Sequence, residues 1–166
     1  MRRRSPVRLR HAECVAIDAA GDVWCGGESA EIYRIDGDGS ALELVASSDG
    51  ESLGIAFDES GCLHVCDAFV GAVDRLDPRS GELQRFARVE PGAMRIPNFP
   101  VVDTRRGYLY VSDSHSFDEA GPGIWTFDRQ QGKANCGIPS RSGSRTAWRC
   151  RRTETPSMWP KRSRAA

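Results

Sequence analysis

The chain has 166 residues, of which 39% are apolar and 28% charged, a composition that suits one globular domain and excludes a collagen or a coiled coil. Its 23 basic and 23 acidic residues cancel in total but not along the chain. Residues 1–10 hold 5 arginines and no acid, residues 11–132 hold 9 basic and 22 acidic residues, and residues 133–166 hold 9 basic and 1 acidic residue. No segment reaches the roughly 18 apolar residues of a membrane span, and no apolar segment follows the first arginines, so we expect a cytoplasmic protein.

Short strands fill the body of the chain in three successive modules. In each, Val, Ile, Leu and aromatic residues form apolar runs, and Gly, Asp, Ser and Pro lie between the runs, as is typical of β-strands joined by turns. The first module predicts strands at residues 14–18, 23–26, 31–35 and 41–46. The second predicts strands at 52–57, 63–66, 73–76 and 83–89. The third predicts strands at 99–102, 108–112 and 124–127.

The three modules are internal repeats. Asp18, Asp58 and Asp103 each follow the first strand of a module, and a glycine comes three or four residues later. The repeat period of roughly 40–50 residues, with four strands per module, is that of a β-propeller blade. Since the aspartate recurs in every module, we interpret it as a hairpin-turn residue that accepts backbone N–H groups, not as a ring of catalytic carboxylates.

The composition changes abruptly after Gly132. The segment 133–166 has few β-branched residues and no repeat pattern, so the third module is predicted to lack its fourth strand. One interpretation is a disordered basic extension. The other, which we favour, is that the segment is out of frame with the repeats, because a true capping segment would continue the apolar pattern. The predicted organisation is therefore a basic segment at 1–10, blades at 11–132 and a basic tail at 133–166.

The cysteines give no metal or redox motif. None of the six has the C-x-x-C spacing, and no pair of histidines completes a zinc site. We interpret them as small apolar residues within strands.

Four segments carry a resemblance to a known family: 13–18 (ECVAID), 53–58 (LGIAFD), 95–103 (RIPNFPVVD) and 109–114 (LYVSDS). With these motifs the sequence resembles the senescence marker protein/gluconolactonase/luciferin-regenerating-enzyme-like group, which includes regucalcin, and it resembles an incomplete member of that group. The resemblance covers residues 11 to about 132. It implies an all-β, six-bladed propeller of which this chain supplies about three blades.

The resemblance also implies a site and an activity. Family members hydrolyse lactones with one divalent cation, calcium or zinc, at the mouth of the central channel. Glu13 is similar to the family's carboxylate ligand in the first blade. Asn98 and Arg95 are similar to residues that contact the substrate, and either Asp113 or Ser114 matches a further substrate contact.

The family's remaining metal ligands belong to modules that this sequence does not show. We therefore expect a weak or absent cation site, a sugar lactone as the small-molecule ligand, and no membrane or nucleic-acid partner. Open blade edges predict self-association. Two alternatives stay open: a non-catalytic propeller that binds a ligand or partner, and an inactive, truncated gene product.

Overall fold

Three four-stranded antiparallel sheets follow one another along the chain in the computed structural model, which describes residues 8, 9, 11–90, 92–116, 118, 119, 121 and 123–138. Each sheet contains four consecutive strands paired in sequence order, so we number them as blades 1, 2 and 3. The all-β partial propeller predicted from the repeats is confirmed. No helix that could span a bilayer occurs in the described part of the chain.

For the eleven predicted strands, the observed bounds agree with the predicted ones to within a few residues. Blade 1 contains β1 Val15–Ile17, β2 Val23–Gly26, β3 Glu31–Ile35 and β4 Leu42–Ser47. Blade 2 contains β5 Glu51–Phe57, β6 Leu63–Ala68, β7 Ala72–Asp77 and β8 Glu82–Arg88. Blade 3 contains β9 Pro97–Asp103, β10 Tyr108–Asp113, β11 Gly123–Asp128 and β12 Ala134–Ile138.

The recurring aspartates form the hairpin turns that the repeat predicts. Asp18 Oδ1 accepts the backbone N–H groups of Ala20 and Asp22, and the N–H of Gly21 bonds back to the Asp18 carbonyl. Asp58 Oδ1 receives the equivalent N–H groups in blade 2. Gly21 has φ +93°, a conformation that glycine adopts without strain. The interpretation of these carboxylates as turn residues is confirmed.

Two apolar clusters hold the blades together. Trp24 and Ile32 of blade 1 pack with Ile55, Leu63, Val65 and Leu76 of blade 2. Cys66, Val73 and Ala87 of blade 2 pack with Leu109, Val111 and Phe127 of blade 3. Since strand side chains alternate between faces, blade 2 presents one apolar face to each neighbour.

The first strand of each blade lies closest to the centre of the arc. Strands β1 and β5 contact each other, as do β5 and β9, and these contacts are more extensive than those between fourth strands of neighbouring blades. The blades therefore diverge from their inner strands outward, like the blades of a propeller around its axis. Residues at the start of β1, β5 and β9 lie at one end of this inner surface.

The prediction that blade 3 lacks a fourth strand is wrong, and so is the boundary at residue 133. Strand β12 pairs with β11, with Ile124 opposite Ile138 and Thr126 opposite Cys136. The turn before it is built like the others, because Asp128 Oδ1 accepts two backbone N–H groups and Gly132 has φ +61°. An outer strand is held by backbone hydrogen bonds, so it forms without the apolar pattern on which the prediction relied. The prediction of a disordered or out-of-frame tail concerns residues that, beyond 138, lie outside the described part of the chain.

Four of the cysteines are free thiols. Cys25, Cys62 and Cys66 are buried, and Cys14 is half-buried. Their interpretation as small apolar strand residues is confirmed for these four.

Candidate functional site

Glu13 and Asn98, far apart in the sequence, line one pocket at the inner strands. The pocket has a volume of about 70 Å³. Its walls come from the segment before β1, from the middle of β5 and from the start of β9, and they comprise Glu13, Cys14, Leu53, Gly54, Asn98 and Phe99. The structure thus brings together two of the three site residues predicted from the sequence.

Close packing at Gly54 sets the width of this pocket. A Cβ atom at Gly54 would overlap the carbonyl oxygen of Asn98 and the Cα of Phe99. Glycine therefore lets the backbones of β5 and β9 approach each other where Asn98 enters the pocket. The apolar run in the sequence predicts strand β5. The close approach of β5 to β9 could not be predicted in this way, because it depends on the packing of two blades.

Glu13 lies in a group of acidic side chains that the sequence did not indicate. Its Oε1 is 3.7 Å from His11 Nδ1, which is also 3.5 Å from Glu28 Oε2. Burial raises the pKa of Glu51 at the start of β5, and the charges of Glu13 and Glu28 raise it further. The end of the inner surface that carries Glu13 therefore has a negative potential, which favours a cation.

A hydrogen bond connects Asn98 to the loop after β10. Asn98 Nδ2 donates to Ser114 Oγ at 3.3 Å, and both residues are accessible to solvent. Asp113 is buried instead, and its carboxylate accepts N–H groups from Ile96, His115 and the Trp125 indole. Of the two residues left open by the sequence, Ser114 lies beside Asn98, whereas Asp113 fixes the loop that precedes β9.

Arg95 lies in a second, larger pocket. This pocket has a volume of about 370 Å³, and it is formed by the loops between β6 and β7, between β8 and β9, and after β10. Arg95 and His115 supply its polar side chains, and Phe69, Val70, Met94 and Ile96 supply apolar surface. Arg95 Nη1 is 3.4 Å from Glu119 Oε2, so the guanidinium is exposed but partnered. The structure therefore separates Arg95 from the pocket that contains Glu13 and Asn98.

The donor set does not make a complete cation site. Within the described residues, no group of three or more His, Cys, Asp or Glu side chains is arranged to hold a metal ion. The pocket offers the Glu13 carboxylate and the Asn98 amide, whereas calcium takes about six to eight oxygen ligands and zinc about four ligands. The residues present fit one part of the cation site that the resemblance implies, and they do not fit the whole of it.

Comparisons with known proteins place the fold among propellers. No protein-family model and no curated protein matches the sequence. A gluconolactonase from Xanthomonas campestris is similar in structure, with a TM-score of 0.64, 20% identity, and coverage of 81% of this chain and 48% of that chain. A structure of a nidogen/laminin complex gives a TM-score of 0.62, 17% identity, and coverage of 76% and 46%. A hydrazine synthase from Kuenenia stuttgartiensis gives a TM-score of 0.67, 14% identity, and coverage of 82% and 38%.

These similarities define the class of protein. The chain has the propeller fold, and that fold is similar to a gluconolactonase as well as to propellers of other kinds. At these identities the likeness concerns the fold and not the activity. The chain spans about half the length of the gluconolactonase and of the nidogen/laminin chain that it matches.

Proposed function

We propose that the chain carries part of the site of a divalent-cation-dependent hydrolase of sugar lactones. The observation that supports this proposal is the shared pocket of Glu13 and Asn98, which the family resemblance had selected separately and which the fold brings together. The gluconolactonase-like fold is consistent with it. The negative potential from Glu13, Glu28 and Glu51 favours a cation at the same end of the inner surface.

In this proposal Glu13 binds the calcium or zinc ion through its carboxylate. Asn98 directs its amide toward the lactone, and the hydrogen bond to Ser114 fixes the orientation of that amide. Arg95 binds hydroxyl groups of the sugar at the rim of the larger pocket. Because one carboxylate leaves most coordination positions to water, we expect weak cation binding and little or no hydrolysis by this chain alone.

Cation binding is tested by titration of the purified chain with Mn²⁺, Ca²⁺ and Zn²⁺. Glu13→Gln keeps the size of the side chain and removes its charge, so saturable binding should be lost. Glu82→Gln, an exposed carboxylate at the start of β8, is the matched control and should bind as the wild type does. Equal binding by wild type and Glu13→Gln would contradict the role of Glu13.

Turnover is tested with simple sugar lactones and each of the three cations. We expect a rate near that of the uncatalysed reaction. Robust cation-dependent hydrolysis that Glu13→Gln abolishes would show that the chain supplies a complete site, and it would contradict our assignment of a partial one.

A non-catalytic propeller is the second candidate. It is favoured by the similarity to the nidogen/laminin structure, whose TM-score of 0.62 is close to the 0.64 of the gluconolactonase. A ligand or protein that binds at the inner surface with the same affinity in wild type and Glu13→Gln, with no cation dependence, would support this candidate over the first.

A further inference from the structure

The loops after the second strands of blades 2 and 3 are built alike. A buried aspartate lies at or next to the end of each strand, Asp67 in β6 and Asp113 in β10, and a residue with positive φ follows two positions later. That residue is Phe69 at φ +64° in blade 2 and His115 at φ +53° in blade 3. In each loop the N–H of the next residue bonds to the carbonyl of the preceding one, which gives the bonds Val70 to Ala68 and Ser116 to Ser114. We call these loops the twin turns.

Stability alone does not explain the residue at the centre of the blade 2 turn. A positive φ is rare for a bulky side chain, and glycine is the residue that adopts it without strain. Phe69 is 77% exposed, so little packing compensates for the strained backbone. Strained residues are concentrated at sites that contact ligands, which favours a ligand-binding role for the Phe69 ring.

The twin turns both border the larger pocket, which Phe69 and His115 line. Its volume of about 370 Å³ lies within the range of about 300–1,000 Å³ that is usual for small-molecule sites. The pocket of Glu13 and Asn98, at about 70 Å³, has the space of about two water molecules at about 30 Å³ each. The smaller pocket therefore has room for a cation and a reacting group, and the body of a sugar ligand needs the larger one.

Two polar side chains in the larger pocket are available to a ligand. Arg95 is about half exposed, and its contact with Glu119, which is itself exposed, spans 3.4 Å. An exposed ion pair of this kind contributes little to stability and gives way readily to a ligand. Within the described part of the chain, the buried Nδ1 atom of His115 has no hydrogen-bond partner. Buried polar atoms are normally paired, so a hydroxyl group of a ligand would complete this one.

The pocket matches the surface of a sugar ring. One face of a pyranose ring presents C–H groups, which pack on aromatic and aliphatic side chains such as Phe69, Val70 and Met94. The hydroxyl groups project around the edge of the ring, where Arg95 and His115 supply hydrogen-bonding groups. Apolar walls with a few well-placed polar groups are also the general composition of small-molecule sites.

Two segments connect the larger pocket to the pocket of Glu13 and Asn98. Arg95 and Asn98 belong to one segment, and Ser114, which accepts a hydrogen bond from Asn98, directly precedes His115. The three residues from Arg95 to Asn98 span about 10 Å when extended, which is more than the width of one pyranose ring. A ligand with a single ring at Asn98 therefore leaves the larger pocket unfilled, whereas two linked rings reach both pockets.

We propose that the larger pocket binds a second sugar ring, and that the preferred ligand is the lactone of a disaccharide and not that of a monosaccharide. The lactone ring lies at Glu13 and Asn98, and the neighbouring ring packs on Phe69 and bonds to Arg95 and His115. The position of the lactone rests on the function proposed above. The contact with the second ring needs no cation, so the two parts are tested separately.

The first test compares glucose with cellobiose, maltose and lactose in NMR titrations of the purified chain without added cations. These sugars contain no lactone, so they report on ring binding and not on hydrolysis. We expect at least one disaccharide to bind at least about 10-fold more tightly than glucose, because its second ring adds the contact with Phe69. Glu13→Gln should leave this binding unchanged. Equal affinity for glucose and for all three disaccharides would overturn the proposal.

The second test separates a ligand contact from a structural role of the twin turns. Phe69→Gly removes the ring and should weaken disaccharide binding by at least about 10-fold. It should not lower the urea midpoint, because glycine adopts the positive φ without strain. Phe69→Tyr keeps an aromatic ring and should keep the binding, whereas His115→Asn, at a φ that asparagine tolerates, should weaken it. Leu44→Ala, at an exposed apolar residue of β4 in blade 1, is the matched control and should bind as the wild type does.

The results distinguish this inference from the proposed function. Disaccharide binding that survives both Phe69→Gly and His115→Asn would overturn the inference. A chain that binds Mn²⁺ through Glu13 but binds no saccharide would refute the second-ring site and leave the cation site intact. Disaccharide binding that depends on Phe69, in a chain that binds no cation, would support the second-ring site and contradict the proposed role of Glu13.

Discussion

Blade 2 contains two buried carboxyl groups that share one arginine, and this arrangement makes a quantitative prediction. Arg85 Nε lies 2.9 Å from Asp74 Oδ1, and Arg85 Nη2 lies 3.9 Å from Asp67 Oδ2. Burial raises the pKa of Asp74 to about 6, an effect that the Arg85 charge opposes and the neighbouring Asp67 increases. Burial also raises the pKa of Asp67. The folded protein therefore holds a proton at this pair over a pH range in which the unfolded chain releases it.

The size of the effect follows from the two pKa values of Asp74. Its pKa rises from 3.8 to about 6, and about 1.36 kcal/mol per pKa unit gives on the order of 3 kcal/mol. Because the folded-state pKa is the higher one, the bound proton on Asp74 stabilises the folded state by this amount below about pH 4. This stabilisation is lost as the pH rises through about 6 and Asp74 ionises. A loss of this size is a large part of the roughly 5–15 kcal/mol that stabilises a typical domain.

Asp74→Asn resembles the protonated side chain at every pH. We therefore expect the free energy of unfolding of the variant, relative to wild type, to increase by about 3 kcal/mol between about pH 4 and pH 7.5. Urea titrations followed by tryptophan fluorescence measure this difference at each pH. Asp118→Asn, at an exposed loop residue, is the control for the Asp-to-Asn substitution itself. A constant or decreasing difference for Asp74→Asn would refute the reasoning.

Three further predictions concern single buried positions. Burial alone would raise the pKa of Asp58, but hydrogen bonds, above all from Ser60, lower it below 3.8, so its stabilisation is lost as the pH falls. Asp58→Asn should therefore lose stability relative to wild type as the pH rises from about 2 to 5 in the same titrations, and a gain would contradict the assignment. Gly54→Ala should lower the free energy of unfolding by about 1–3 kcal/mol, because its Cβ would overlap the Asn98 carbonyl, and an unchanged urea midpoint would show that β5 and β9 are not closely packed there. Burial raises the pKa of the Cys66 thiol well above its usual value, so labelling of Cys66 by a thiol reagent should require unfolding. Rapid labelling in native buffer would show that the apolar cluster between blades 2 and 3 is open to solvent.

The local features of the fold were predictable from the sequence because they depend on neighbouring residues. Apolar runs separated by Asp and Gly indicated eleven of the twelve strands that the structure describes, and the turn role of Asp18 and Asp58 followed from the repeat. Strand β12 was missed, since its pairing with β11 depends on backbone groups and not on an apolar pattern. The turn from Asp128 to Gly132, which matches that from Asp103 to Gly107, was the available signal.

The arrangement of the site was only partly predictable. The shared pocket of Glu13 and Asn98 required the packing of blade 1 against β5 and of β5 against β9, which no local pattern encodes. The position of Glu51 beside Glu13, and the burial of Asp113 beneath the loop that carries Arg95, also depend on contacts between distant segments. Residue types were therefore found from the sequence, whereas their distances and burial were not.

Paramagnetic broadening by Mn²⁺ tests most directly whether Glu13 and Asn98 share a cation-binding pocket. In ¹⁵N-labelled protein with substoichiometric Mn²⁺, we predict selective loss of the Asn98 side-chain NH₂ signal and of the backbone signals of Cys14 and Gly54, which line the same pocket. The same signals should persist in Glu13→Gln. Broadening that leaves the Asn98 signal unchanged, or that is identical in Glu13→Gln, would contradict the account.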